Sequence, residues 1–156
     1  MVKPENKHAR KSTGIRGLDS ILNGGLPEER IFLVQGGPGS GKTTTSFHFL
    51  RAGAMAGERV LYISLLQTRD EISDILKSHG WSLDGIDMLE LPENLLDIAT
   101  SEQTVFSPAD IELDEVTDSI INAIEEYKTQ RLVLDSFSEL SVLVDSFYQL
   151  RRQLLK

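Results

Sequence analysis

Gly36, Gly37, Pro38, Gly39, Ser40, Gly41, Lys42 and Thr43 follow the pattern G-x-x-x-x-G-K-[ST], the P-loop or Walker A signature, and each residue type in it suits phosphate chemistry. Glycine accepts positive φ angles and lets backbone come close to a ligand, so the loop amides can turn inward around a β-phosphate. Lys42 brings a full positive charge to the β/γ-phosphates and is the candidate catalytic cation. Thr43 offers a hydroxyl to Mg²⁺. A helix starting at about Lys42, with Thr44 in its first turn, points its positive end at the same anion. The bland alternative is a glycine-rich turn with no ligand, and the neighbouring elements argue against it. A second candidate is Asp135, which ends the apolar run Gln130-Arg131-Leu132-Val133-Leu134-Asp135-Ser136. A carboxylate at the end of such a strand, a Walker B position, can hold Mg²⁺ directly or through water.

These residues need a strand before the loop and a helix after it. Ile31-Phe32-Leu33-Val34 reads as a buried parallel strand and Thr44 to Ala54 as a helix. Arg59 to Ser64 predicts a second strand, and Arg69 to His79 a helix stopped by Gly80. Together they make a βαβ unit, whose ligands bind outside the carboxyl ends of the strands. Trp81 to Ile86 is a turn-rich linker in which the single Trp is expected in the core, and Asp87 to Leu91 is a third strand. From Pro92 to about Leu113 the pattern weakens, broken by Pro92, Asn94, Ser107 and Pro108. Asp114 to Lys128 predicts an amphipathic helix, with Val116, Ile120, Ile121 and Ile124 inward and Asp118, Glu125 and Glu126 outward. Val144 to Lys156 predicts a last helix. Upstream, Ile15, Leu18, Ile21 and Leu22 share one face of a short lead-in helix that Asn23-Gly24-Gly25-Leu26-Pro27 stops. The fold class is α/β: a mostly parallel sheet flanked by helices.

The 156 residues suit one domain with a real core, and no internal repeat divides them. A formal charge of −8 disfavours a broad nucleic-acid surface. Lys3, Lys7, Arg10 and Lys11 make residues 1–11 basic, as expected of a solvated, flexible terminus. The chain has no cysteine, which excludes disulfides, thiolate metal sites and cysteine nucleophiles. His8, His48 and His79 are scattered without metal-ligand spacing. No apolar run has the ~18 residues of a membrane span, and a cytoplasmic setting is expected.

Several stretches in one order resemble the KaiC branch of the RecA-like ATPases. They are Ser12-Thr13-Gly14-Ile15-Arg16-Gly17-Leu18-Asp19 with Gly24-Gly25-Leu26-Pro27, then Gly36 to Thr43, Val60 to Ser64 with Thr68, Gly80-Trp81-Ser82-Leu83, and Leu134-Asp135-Ser136. The resemblance covers nearly the whole chain. It implies a RecA-like core over 12–156 that binds ATP with Mg²⁺, and a homo-oligomeric ring, a hexamer being the candidate size, with ATP at subunit boundaries. Protein partners in signalling would fit the same resemblance.

Two departures bear on that expectation. KaiC carries adjacent glutamates just after the second strand, one of which activates the attacking water, and those positions fall on Leu66 and Gln67. Glutamine can orient water but is a far poorer base than a carboxylate, which makes Gln67 the residual candidate for that role. Glu71, the nearest other carboxylate, is expected on the surface of the following helix. In addition, the strand that RecA-like cores place between the Walker A and Walker B strands follows Walker B in the chain, and no candidate for it is found up to residue 156. The reading is of a domain truncated after the Walker B strand, with a sheet that closes differently or a strand supplied by a partner as the alternatives.

Two functions of different class follow. One is a Mg²⁺-ATP-dependent ATPase, with Lys42, Thr43, Asp135 and Gln67 in the roles above. The other is a regulatory or scaffold protein that binds ATP without appreciable hydrolysis. A RecA-like DNA recombinase is disfavoured by the acidity, and a small-molecule P-loop kinase by the lack of an arginine-bearing lid.

Overall fold

The computed structural model of the chain describes residues 9–65, 67–91 and 108–136. Internal contacts gather these into two units, Met1–Glu58 and Arg59–Lys156.

In the first unit, β1 (Arg10–Lys11) pairs antiparallel with β2 (Leu26–Pro27), and α1 (Arg16–Ile21) lies between them in the chain. Lys11 is tied by its ammonium to Glu28 at 3.3 Å and Glu58 at 3.0 Å. Residues 10 and 11 are therefore part of a folded ladder, where a solvated terminus was expected. Fixed carboxylates on both sides give Lys11 a place in the structure. The lead-in helix is shorter than predicted and buries none of its residues, with Ile21 79% exposed. The Gly-Leu-Asp stretch has a structural reason. The Asp19 carboxylate accepts from Thr13 N (2.8 Å), Thr13 Oγ1 (2.6 Å) and Ser12 Oγ (2.6 Å), which closes the lead-in on itself. α2 (Lys42–Met55) then follows the glycine loop and buries Phe47, Leu50 and Gly53.

The run Ile31–Val34 departs from expectation. It forms no strand, and its four side chains are 45–62% exposed. A β-prone run becomes a buried strand only where a neighbour takes its backbone N–H and C=O groups. Within the described residues of its unit, the only ladder is the two-residue β1–β2 pair.

The second unit holds a three-stranded parallel sheet in the order β4 (Asp87–Glu90), β3 (Val60–Ser64), β5 (Arg131–Asp135). β3 is central and buried at all five positions, the pattern of a parallel strand covered on both faces. Its Leu61 and Ile63, with Leu65 and Leu91, pack against Ile120 and Ala123 of α4 (Pro108–Tyr127). α3 (Arg69–Ser78) buries Ile72 and Leu76.

In this second unit the described strands and helices arrive where sequence pattern put them, with local differences. α4 begins at Pro108, six residues before the predicted start. Proline, read as a breaker, is well suited to the first helical position, where its missing N–H has no partner to lose. Ile121, predicted inward, is 39% exposed, whereas Ala123 is buried. The inward stripe runs through 120, 123 and 124, a spacing that places 121 about 100° away on the helix. Trp81 is half-buried with its ring 5.1 Å from that of His79, outside the core that its size had implied. The helix predicted over 144–156 and the Val116 side chain lie outside the described residues.

Candidate functional site: a phosphate loop and a carboxylate strand end

The loop before α2 has the geometry its glycines allow. Gly39 and Gly41 adopt left-handed φ angles of 72° and 86°, and Ser40 N donates to Gly37 O at 3.2 Å to close a turn. A Cβ on Gly36 would lie 2.5 Å from Ser40 Oγ, so a larger residue there requires the serine hydroxyl to move. Pro38 sits at the turn with Gly39, and Lys42, Thr43 and Thr44 form the first turn of α2. The Lys42 ammonium bends back over the loop and donates to Gly36 O at 2.9 Å and Gly37 O at 3.0 Å. All predicted phosphate-loop residues, 36–44, are thus contiguous around the mouth of one helix.

This loop fits an anion. The fourteen-residue α2 starts from Gly41 with no side-chain cap and no acidic residue in its first turn. The positive pole of the helix therefore meets no acidic side chain in that turn. Lys42 adds charge at the same end, where Gly36 O and Gly37 O take the bonds that phosphate oxygens would accept.

In the second unit, the carboxyl ends of two neighbouring strands bring together the other two predicted residues. Ser64 of β3 and Asp135 of β5 are in register, and Leu65 N donates to Asp135 O at 3.0 Å. The buried Ser64 hydroxyl donates to Gln67 O at 2.6 Å and accepts from Gln67 N at 3.0 Å. Gln67 is therefore pinned at the same end of the sheet as Asp135; Leu66 lies outside the described residues. The half-buried Asp135 presents hard carboxylate oxygen, the donor type that Mg²⁺ takes. Its Oδ2 accepts a 2.9 Å hydrogen bond from the Tyr62 hydroxyl. Burial, reinforced by the Asp135 charge, pushes the Tyr62 phenol far above the ordinary tyrosine range, so it remains a donor.

Glu71 has a local role of its own. It is the third residue of α3, and its Oε2 accepts from Thr68 N at 2.9 Å while Thr68 Oγ1 accepts from Glu71 N at 3.4 Å. This reciprocal capping box occupies the carboxylate in holding a helix end.

A family model described as "ATPase: KaiC" matches residues 11–156. The chain belongs to the KaiC ATPase family. Among its relatives, a UPF0273 protein of Thermotoga maritima is 32% identical over 140 residues, covering 85% of this chain and 57% of that protein. A UPF0273 protein of Pyrococcus horikoshii is 40% identical over 74 residues, 47% of this chain and 30% of that protein. The circadian clock oscillator protein KaiC of Prochlorococcus marinus is 30% identical over 146 residues, 92% of this chain and 29% of that protein. This KaiC-family chain thus spans little more than half the length of the Thermotoga relative. Within the family's P-loop framework, the residues that sequence reasoning passed over are Tyr62 and Ser64. Their signal was present: two polar side chains, two residues apart, on one face of an otherwise apolar strand.

Among the described residues, no helix is long and apolar enough to cross a membrane.

Proposed function

We propose that the chain binds Mg²⁺-ATP and supports phosphoanhydride hydrolysis at a rate limited by Gln67. The observation that carries this reading is Lys42 folded over the carbonyls of Gly36 and Gly37 at the mouth of an uncapped helix. In the proposal, the backbone N–H groups of 36–44 other than Pro38 would hold the triphosphate together with Lys42, and Thr43 and Asp135 would hold the metal. Bound Mg²⁺ would supply charge neutralisation of the β- and γ-phosphate oxygens. Gln67 orients the attacking water through its amide but has no carboxylate to take the proton, so positioning and electrostatics carry the rate.

Family membership supports a homo-oligomeric ring, a hexamer being the candidate, with ATP at subunit boundaries in a cytoplasmic setting. Protein partners in signalling belong to the same reading. A second reading, an ATP-dependent regulatory or scaffold protein without appreciable hydrolysis, is favoured specifically by glutamine at position 67.

Calorimetric titration with Mg²⁺-ATP tests the common part of both. Binding should weaken about 10–100-fold in Lys42→Ala, the loss associated with a charge-assisted hydrogen bond. Equal affinity in the two proteins, with both folded, would refute the phosphate-loop assignment. Phosphate release by the wild-type chain then separates the two readings.

A further inference from the structure

We infer that Tyr62 is a positioning residue that fixes the Asp135 carboxylate for the divalent cation; this rests on the reading of Asp135 as a metal ligand. Tyr62 has no exposed surface, although it carries a hydroxyl in the middle of the most buried strand of its unit. In the sheet register it lies opposite Val133, whereas Asp135 lies opposite Ser64. The phenol therefore reaches two residues along the strand direction, roughly 6–7 Å at the rise of a parallel strand. That is about the length of a tyrosine side chain leaning along its strand. It ends 2.9 Å from Asp135 Oδ2.

This geometry has a consequence for a ligand. Carboxylates that bind metals are usually held by a hydrogen bond from the surrounding protein, which sets which lone pairs face the ion. A donor anchored in the core is a rigid one, since the ring cannot follow the carboxylate if it rotates. The Asp135 main chain is held as well, through Leu65 N. Backbone and side chain of the same residue are thus both fixed from β3 and its extension. A buried phenol needs some partner, and a neutral carbonyl would satisfy it equally well. The partner here is the charged group at the carboxyl end of the sheet.

The test is Mn²⁺ binding to the 156-residue chain with the non-hydrolysable analogue AMPPNP, followed by electron paramagnetic resonance. Tyr62→Phe keeps the ring and removes only the donor. It should weaken Mn²⁺ about tenfold, while metal-free AMPPNP affinity stays within about twofold of wild type. Unchanged Mn²⁺ affinity in folded Tyr62→Phe, with Asp135→Asn strongly impaired, would overturn the inference and leave Tyr62 a satisfied core phenol. Unchanged affinity in Asp135→Asn would instead overturn the metal-ligand reading beneath it. If Tyr62→Phe fails to fold, wild-type protein labelled with 3-fluorotyrosine decides. Adding Mg²⁺ to the AMPPNP complex should shift the Tyr62 fluorine resonance, and the shift should vanish in Asp135→Asn. A resonance unmoved in the wild type, or moved equally in both proteins, would overturn the inference.

Discussion

At the scale of single residues, position 67 governs the proposed chemistry. A correctly placed general base contributes roughly 10²–10⁴-fold to such reactions, and an amide supplies only the orienting part of that. Gln67→Glu is therefore expected to raise phosphate release by about 10²-fold or more at saturating Mg²⁺-ATP. An unchanged rate in a variant that still binds nucleotide would place the deficit elsewhere. The gain depends on Ser64, whose buried hydroxyl makes two hydrogen bonds to the Gln67 backbone. Ser64→Ala should cost about 1 kcal/mol of stability, since it removes the hydroxyl that bonds the part-buried N–H and C=O of Gln67. In the Gln67→Glu background it should also remove most of the rate gain, as measured by phosphate release. Retention of the full gain would show that the loop holds its geometry without Ser64. Type and spacing alone single out the glycines, Lys42, Thr43 and Asp135 as candidates. Tyr62 and Ser64 carry a weaker signal, a polar pair on an apolar strand: the register names the Asp135 partner of Tyr62, and the turn after β3 names the Gln67 partner of Ser64.

Secondary-structure elements were the more legible level. The βα alternation, the β3, β4 and β5 runs and the helix after the phosphate loop follow from apolar runs and the turn residues between them, which report burial. Ends and faces were less legible, as Pro108 and Ile121 show, because a helix start depends on backbone capping and a stripe on which neighbour it meets. The capping box at Thr68 and Glu71 is a case where local chemistry assigns a carboxylate away from catalysis. Thr68→Ala should lower stability by about 1 kcal/mol, a fall in Tm of about 2–4 °C for a chain of this size, with Mg²⁺-ATP affinity unchanged. Thermal unfolding and calorimetry check the two halves. Glu71→Gln should likewise leave phosphate release within about twofold of wild type. A hundredfold loss would return Glu71 to the list of candidate bases.

For the whole molecule, a feature that sequence pattern placed wrongly is the run from Ile31 to Val34. Four consecutive apolar residues with high β-propensity satisfied every local criterion for a buried strand, yet all four stand 45–62% exposed. Local pattern reports what a segment could bury, and the tertiary partner decides whether it does. An exposed, uncharged, β-prone run is a template for intermolecular pairing. The polypeptide of these 156 residues is accordingly expected to self-associate with rising concentration despite its charge of −8, because like charge repels at long range while an open strand pairs at contact. Leu33→Lys places a charge in the middle of the run, three residues before Gly36, without touching Lys42 or Thr43. It should shift the light-scattering onset to several-fold higher concentration and reduce binding of an apolar fluorescent dye. Added salt should promote association of the wild-type chain by screening its net charge, which acts over a Debye length of about 10 Å at 0.1 M. Onset at the same concentration in wild type and Leu33→Lys would show that this run is not the surface through which the copies meet.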